Sequence, residues 1–294
     1  MSEWITEGGK KGSLPYDLGN DPFSVDVQTK YTKKSSIQLL PIFPISGMID
    51  RRKEGKAMYS FQTRVRYSEC NTKQEASLTA LLDYLQDCCT FQSEQLGVGV
   101  EYLSEHHVAW ILSSWQVDVL RYPKLGEQLT IFTWPYDIKG FYGLRNFKIE
   151  DGTGETILKA NSIWVFIDTQ TGKPARPIPE MLEKYPSEPQ LEMEYLGRKL
   201  PALPEGEKKP AIRVPHYFID TNHHMNNAKY ILMGEEFLPE GFEVHRIWAE
   251  YKKAAVLGDT ICPSVAAEPS RVSVKLCDES GEAYANIILY SSED

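Results

Sequence analysis

The apolar and polar positions fall into two similar runs separated by a proline-dense stretch. Residues 1–57 carry little periodicity. They are rich in Gly, Pro, Ser and Lys, and their one apolar island, Ile37 to Ile45, is broken by Pro41 and Pro44. Proline disfavours helix and central strand alike, so this segment reads as an N-terminal extension, partly disordered. Phe61 to Tyr67 then alternates as a strand does and ends in a polar turn. From Ser77 to Leu96, Leu78, Leu81, Leu82, Leu85, Cys88, Cys89 and Phe91 recur at helical spacing, and Gly97 closes the run as a C-terminal cap. Four β-rich runs follow: Ala109 to Leu120, Gln128 to Trp134, Phe141 to Glu150 and Thr156 to Ile167. Most are separated by turns such as Asp151-Gly-Thr-Gly154. One helix and a meander of strands predict an α+β unit with an antiparallel sheet.

Eight prolines between Pro174 and Pro210 rule out long regular elements there, and beyond them the order repeats. Arg64-Val-Arg-Tyr67 returns as Arg213-Val-Pro-His216, Leu125-Gly-Glu127 as Leu257-Gly-Asp259, and Asp151-Gly-Thr-Gly-Glu155 as Asp278-Glu-Ser-Gly-Glu282. Three echoes in one order indicate a duplicated strand–helix–strands unit. A long helix wrapped by an antiparallel sheet is the hotdog arrangement. The chain therefore reads as a tandem hotdog with two long helices: an extension over 1–57, a first hotdog over 58–175, a proline-rich linker over 176–210, and a second hotdog over 211–294.

The densest cluster of reactive side chains opens the second copy: Asp220-Thr-Asn222-His223-His224-Met-Asn226-Asn227-Ala-Lys229-Tyr230. It precedes a helix expected over Ala228 to Phe237. Asn226 or Asn227 suits its N-cap, and the helix start offers unpaired N–H groups to an oxyanion. In an extended or looped stretch, positions i, i+2 and i+4 face one way. Asp220, Asn222 and His224 then line one wall, as a carboxylate base or nucleophile, an orienting amide and a proton-transfer imidazole. The same residue types also serve turns and caps. A metal site at His223 and His224 lacks a third ligand at suitable spacing, so no metal and no cofactor is expected.

Asp220-x-Asn222-x-His224-Met-Asn226-Asn227-x-Lys229-Tyr230 resembles the signature of the fatty acyl–acyl-carrier-protein thioesterases of plants and bacteria, a tandem hotdog family. The resemblance covers roughly residues 58–292, with Trp164-Val-Phe-Ile167 and Tyr251-Lys-Lys253 as further points of agreement. It implies hydrolysis of fatty acyl–acyl carrier protein, release of free fatty acid and an end to chain elongation. It also implies that Asp220, Asn222 and His224 are catalytic, with Asn226 and Asn227 at the oxyanion end. The implied partner is acyl carrier protein, whose phosphopantetheine arm would enter near Asn226 to Tyr230. Where the family continues its Tyr-basic-basic segment with Glu and often Cys, this chain has Ala254 and Ala255. A Cys nucleophile is excluded there, and a water-activating carboxylate is missing unless Glu250 or Asp259 substitutes. The expected acyl channel runs between the first helix and the sheet, lined by Leu78, Leu81, Leu82, Leu85 and Trp110. Alternatives are an acyl-CoA thioesterase of the same class, a hydratase, or a non-catalytic acyl-thioester sensor.

Charge sharpens the question of partners. The chain of 294 residues carries a net charge of −9, which argues against nucleic acid. An acidic carrier then needs a local basic patch, for which Lys229, Lys252 and Lys253 are the candidates, with Arg64, Arg66, Arg121 and Lys124 nearby and Arg51, Arg52 and Lys53 at the edge. No apolar run is long enough to span a bilayer. Met1 to Lys11 lacks the apolar core of a signal peptide. Five cysteines without a C-x-x-C pair suit a reduced, cytoplasmic protein. A homodimer is compatible with the pattern.

Overall fold

The computed structural model describes residues 58–185 and 187–292. The expected extension, with Arg51, Arg52 and Lys53, lies outside the described residues.

The first unit runs β1 (Tyr59–Arg64), α1 (Leu78–Gln95), α2 (Val100–Glu105), β2 (Val108–Val119), β3 (Gln128–Lys139), β4 (Tyr142–Asp151), β5 (Thr156–Asp168), β6 (Lys173–Pro174) and α3 (Pro179–Leu182). The second runs β7 (Glu207–Lys208), β8 (Ile212–Arg213), α4 (Asn227–Glu235), β9 (Val244–Tyr251), β10 (Thr260–Glu268), β11 (Arg271–Cys277) and β12 (Ala283–Ser291). The strands form one antiparallel sheet of order β1-β3-β4-β5-β2-β9-β12-β11-β10-β7, with β6 on β5 and β8 on β10. The second half thus mirrors the first about the β2–β9 seam, where Gln116 pairs with Trp248 and Asp118 with Arg246.

Helix α1 starts where Ser77 Oγ accepts the Ala80 N–H at 3.2 Å, and it ends at Gly97, which takes φ +65° at no steric cost. Its apolar stripe of Leu78, Leu81, Leu82, Leu85 and Cys88 is at most 2% exposed and packs into the main core. Burying such side chains contributes about 1.5–3 kcal/mol each. The second helix, 9 residues against the 18 of α1, lies close to the span expected over Ala228 to Phe237. Phe237 and Leu238 donate back three residues to Gly234 and Glu235, and Pro239 stops the run. Gly234 lies 3.6–3.9 Å, measured from a Cβ placed on it, from Leu289, Ile287 and Val274, so α4 sits close on the sheet.

The stretch after α3 is strapped across the other face of the sheet by buried amides. Gln116 donates to Glu194 C=O (2.8 Å) and accepts the Leu196 N–H (2.8 Å), and Asn146 Oδ1 accepts the Leu191 N–H (3.0 Å). Polar residues buried at 2% and 0% exposure are thereby satisfied.

Candidate active site

The segment between β8 and α4 is a closed turn, the looped rather than the extended form of the stretch that the spacing allowed. Ile219 pairs with Met225. The Asp220 N–H donates to His224 C=O (2.8 Å), the His223 N–H donates to Asp220 C=O (3.1 Å), and His223 takes φ +61°. Asp220 Oδ1 accepts the Asn222 N–H at 2.8 Å. This side-chain-to-backbone bond is what pulls the chain out of extended geometry. Asp220, Asn222 and His224 nevertheless all line one cavity of about 660 Å³. Asp220 is half-buried. Asn222 and His224 are exposed, and neither side chain has a hydrogen-bond partner among the described residues.

Both halves build the cavity. The second contributes the turn, Asn227, Tyr230 and Tyr251 to Ala254; the first contributes α1, α2 and the starts of β2 and β4. Asn226 caps α4, its Oδ1 accepting the Ala228 N–H at 2.9 Å, but it does not line the cavity. Asn227 does, and its N–H has no acceptor among the described residues. Two tyrosines fix this corner. Tyr251 OH donates to Asn227 C=O (3.0 Å), and Tyr230 OH accepts the Ala255 N–H (2.8 Å). Burial pushes the Tyr230 hydroxyl up to about 12 and raises Tyr251 as well, so both stay neutral hydrogen-bonding groups.

Of the expected acyl-channel residues, Trp110 lines the cavity. Leu78, Leu81, Leu82 and Leu85 do not: they face the sheet core, while Gln86, Cys89, Thr90 and Ser93, on the neighbouring strip of α1, face the cavity. Trp110 lies over Gly143, where an added Cβ would come within 2.9 Å of the indole. Its ring meets Phe166 edge-on at 4.8 Å.

Ala254 faces the cavity, and neither candidate substitute for the missing carboxylate does. Glu250 is 7% exposed and lines a separate cavity of about 540 Å³, 3.5 Å from Lys252 Nζ. The Asp259 carboxylate accepts the Val256 N–H and the Tyr284 hydroxyl, each at 3.0 Å. Asp220 is therefore the only carboxylate lining the cavity among the described residues. The cysteines are free; burial raises the thiols of Cys88 and Cys89 and so disfavours thiolate chemistry.

Lys252 and Lys253 line the cavity, and Lys253 Nζ is already paired with Asp278 (2.9 Å) and Glu282 (3.1 Å). Lys229 makes no ion pair among the described residues. The nearby bases are engaged too: Arg66 with Glu69, Lys124 with Glu75, and Arg121 with Glu127 and Asp151. No cluster able to hold a metal ion occurs among the described residues, and no helix is long and apolar enough to cross a membrane.

A mirrored pair of helix-and-sheet halves, with one cavity opening at the start of the second helix, defines a tandem hotdog protein. The sequence model of the acyl-ACP thioesterase N-terminal domain matches residues 56–185, and that of the C-terminal domain matches residues 203–289. The chain belongs to the acyl-ACP thioesterase family. It is 28% identical over 244 residues to a chloroplastic acyl-carrier-protein hydrolase of Cuphea viscosissima, covering 76% of this chain and 56% of that one. It is 23% identical over 274 residues to a chloroplastic oleoyl-acyl carrier protein thioesterase of Arabidopsis thaliana, covering 84% and 75%. The match thus spans little more than half the length of the Cuphea relative. Among solved structures, one described as an oleoyl thioesterase of Lactobacillus plantarum superposes with a TM-score of 0.72 at 25% identity, over 81% of this chain and 97% of that one. The 12:0-ACP thioesterase of Umbellularia californica gives 0.70 at 18% identity, over 82% and 99%, and shares the fold.

Proposed function

We propose that the protein hydrolyses the thioester of fatty acyl–acyl carrier protein, with Asp220, Asn222 and His224 as its catalytic residues. The observation that carries this reading is the cavity itself. Its only carboxylate among the described residues sits in one turn with an unpartnered imidazole and amide, beside the free first N–H of a helix. The acyl chain occupies the cavity, and its carbonyl oxygen takes the Asn227 N–H, where the helix start favours developing negative charge. One Asp220 oxygen is held by the Asn222 N–H, and the other is free to attack the carbonyl carbon or to take a proton from an attacking water. Collapse of the tetrahedral adduct breaks the C–S bond, and His224 delivers a proton to the departing thiolate; where Asp220 is the nucleophile, water then cleaves the resulting acyl–aspartyl anhydride and restores the carboxylate. Water supplies the oxygen of the carboxylic acid product. Asn222 orients the carboxylate or the water.

The carrier arm enters past Asn226 to Tyr230, and Lys229 is the candidate cation without an ion pair among the described residues to meet an acidic carrier, since Lys252 stands 3.5 Å from Glu250 and Lys253 is held by two carboxylates. Free-thiol release from acyl–acyl carrier protein and from acyl-CoA, measured side by side, tests the reading. Faster turnover of the carrier-protein substrate, lost in both Asp220→Ala and His224→Ala, is the expected result. Unchanged turnover in the two variants would sink it. Preference for the CoA substrate would instead favour the acyl-CoA alternative.

A further inference from the structure

Arg145 lines the cavity from β4, where binding a plain hydrocarbon requires no cation. Its Nη1 donates to Thr133 Oγ1 at 3.0 Å and to Gln92 Oε1; those two residues are 0% and 3% exposed. The guanidinium lies 5.6 Å from the centre of the Tyr185 ring, whose hydroxyl is turned away to Ser93 Oγ (2.7 Å). No carboxylate pairs with Arg145 among the described residues.

A guanidinium is always charged and carries five N–H donors in a fixed fork. Both of its hydrogen bonds leave from Nη1, so Nη2 and Nε have no acceptor among the described residues. Neither nitrogen is sealed inside the protein. The side chain is thus anchored on one arm, with its remaining donors open to the cavity. Leu112, Leu144 and Trp164 line the same cavity as apolar surface, alongside polar Gln86, Thr90 and Ser93. A saturated chain laid against those donors would strip their water and return no hydrogen bond, which is the costly case for a charged group. An oxygen on the chain would satisfy them instead.

We propose that Arg145 is a specificity-determining residue and that the cavity selects acyl chains bearing an oxygen acceptor, a hydroxyl or oxo group, over plain alkyl chains of equal length. The inference rests on the thioesterase reading of this cavity and adds the class of acyl group. No chemical step changes, because Arg145 donates a hydrogen bond and the thioester is cleaved as before.

The test uses the full chain and two acyl-pantetheine thioesters of equal carbon count, one saturated and one with a hydroxyl walked along the chain. Non-hydrolysable thioether analogues of both, titrated calorimetrically, give a readout independent of turnover. The hydroxylated chain is expected to bind and turn over at least about tenfold better at one hydroxyl position, the worth of a hydrogen bond to a charged donor. Arg145→Met should erase that ratio while still cleaving the saturated thioester. Arg145→Lys, which keeps the charge but loses the fork, should retain part of the ratio. Equal binding of the two thioethers by the wild-type protein, at every hydroxyl position, would overturn the inference. So would a wild-type ratio in Arg145→Met. Discrimination in binding without any thiol release would overturn the hydrolase reading and leave this one standing.

Discussion

The turns that open the two halves have one backbone and two fates. In the first, the Asn71 N–H donates to Glu75 C=O (2.8 Å), the Gln74 N–H donates to Asn71 C=O (3.1 Å), and Gln74 takes φ +62°. In the second, Asp220, His223 and His224 repeat these bonds at 2.8 and 3.1 Å, with His223 at φ +61°. Ser77 and Asn226 then cap the two helices. The difference lies in what the side chains are committed to. Lys73 and Glu75 stand where the second half has Asn222 and His224. Lys73 pairs with Glu243 at 2.9 Å and Glu75 with Lys124 at 2.9 Å, and His245 lies 3.5 Å from Glu243. The first turn is closed by charge pairs, whereas the second leaves the Asn222 and His224 side chains without a partner among the described residues, on a cavity. The same fold element supplies position in both cases, and freedom from local partners is what distinguishes the candidate site.

The strongest way to break this contrast is to alter charge while keeping geometry. Asp220→Asn retains the oxygen that accepts the Asn222 N–H, so the turn should persist while thiol release falls by about two to four orders of magnitude. Asn71→Asp, its counterpart, should leave turnover unchanged. Residual activity above a tenth of wild type in Asp220→Asn would erase the proposed division of labour.

The ends of the two helices give a second contrast, readable in stability. Glu235 in α4 stands where α1 has Gln86. Its carboxyl is pushed up to about 7, chiefly by burial, against a weak bond from Thr79 Oγ1 at 3.4 Å. A raised carboxyl favours the protonated folded state. The stability it contributes is fully present below about pH 4.5 and is lost as pH rises to about 7, by roughly 3 kcal/mol at most. Glu235→Gln should flatten that decline and raise the melting temperature at pH 8. An equally steep decline in the variant would locate the effect elsewhere.

Smaller effects should follow in the first turn. Asn71 Oδ1 accepts the N–H groups of Lys73 (2.9 Å) and Glu75 (3.1 Å), so Asn71→Ala should cost about 1 kcal/mol in denaturant unfolding at unchanged kcat/KM. Glu75→Gln, which breaks an ion pair whose lysine end is exposed, should cost less than ~1 kcal/mol. A large loss of turnover from either would mean that the first turn is not a purely structural copy.

The duplication was legible in the sequence because turn chemistry repeats: Asp151 and Asp278 both accept N–H bonds that close their hairpins, at 2.8–3.1 Å and 2.9–3.0 Å. Proximity of Asp220, Asn222 and His224 was legible as well, but spacing left extended and looped forms open, and it is the Asp220 side chain that makes the turn. The cavity wall was not. Leu78 to Leu85 show the strongest periodicity because they are buried against the sheet. The strip that faces the cavity, Gln86 to Ser93, is polar enough to read as surface. Arg145 was hidden for a similar reason: a lone arginine in a strand looks like a solvated charge until Gln92 and Thr133, distant in sequence, are seen to hold it.

The seam between β2 and β9 has one more consequence. Residues on both sides of it wall the same cavity, and both sides belong to one polypeptide. Two separate subunits would assemble such a pocket only above their dissociation constant. Here the halves meet at the effective concentration set by a covalent linker, so specific activity should hold constant on dilution, however scarce the protein becomes.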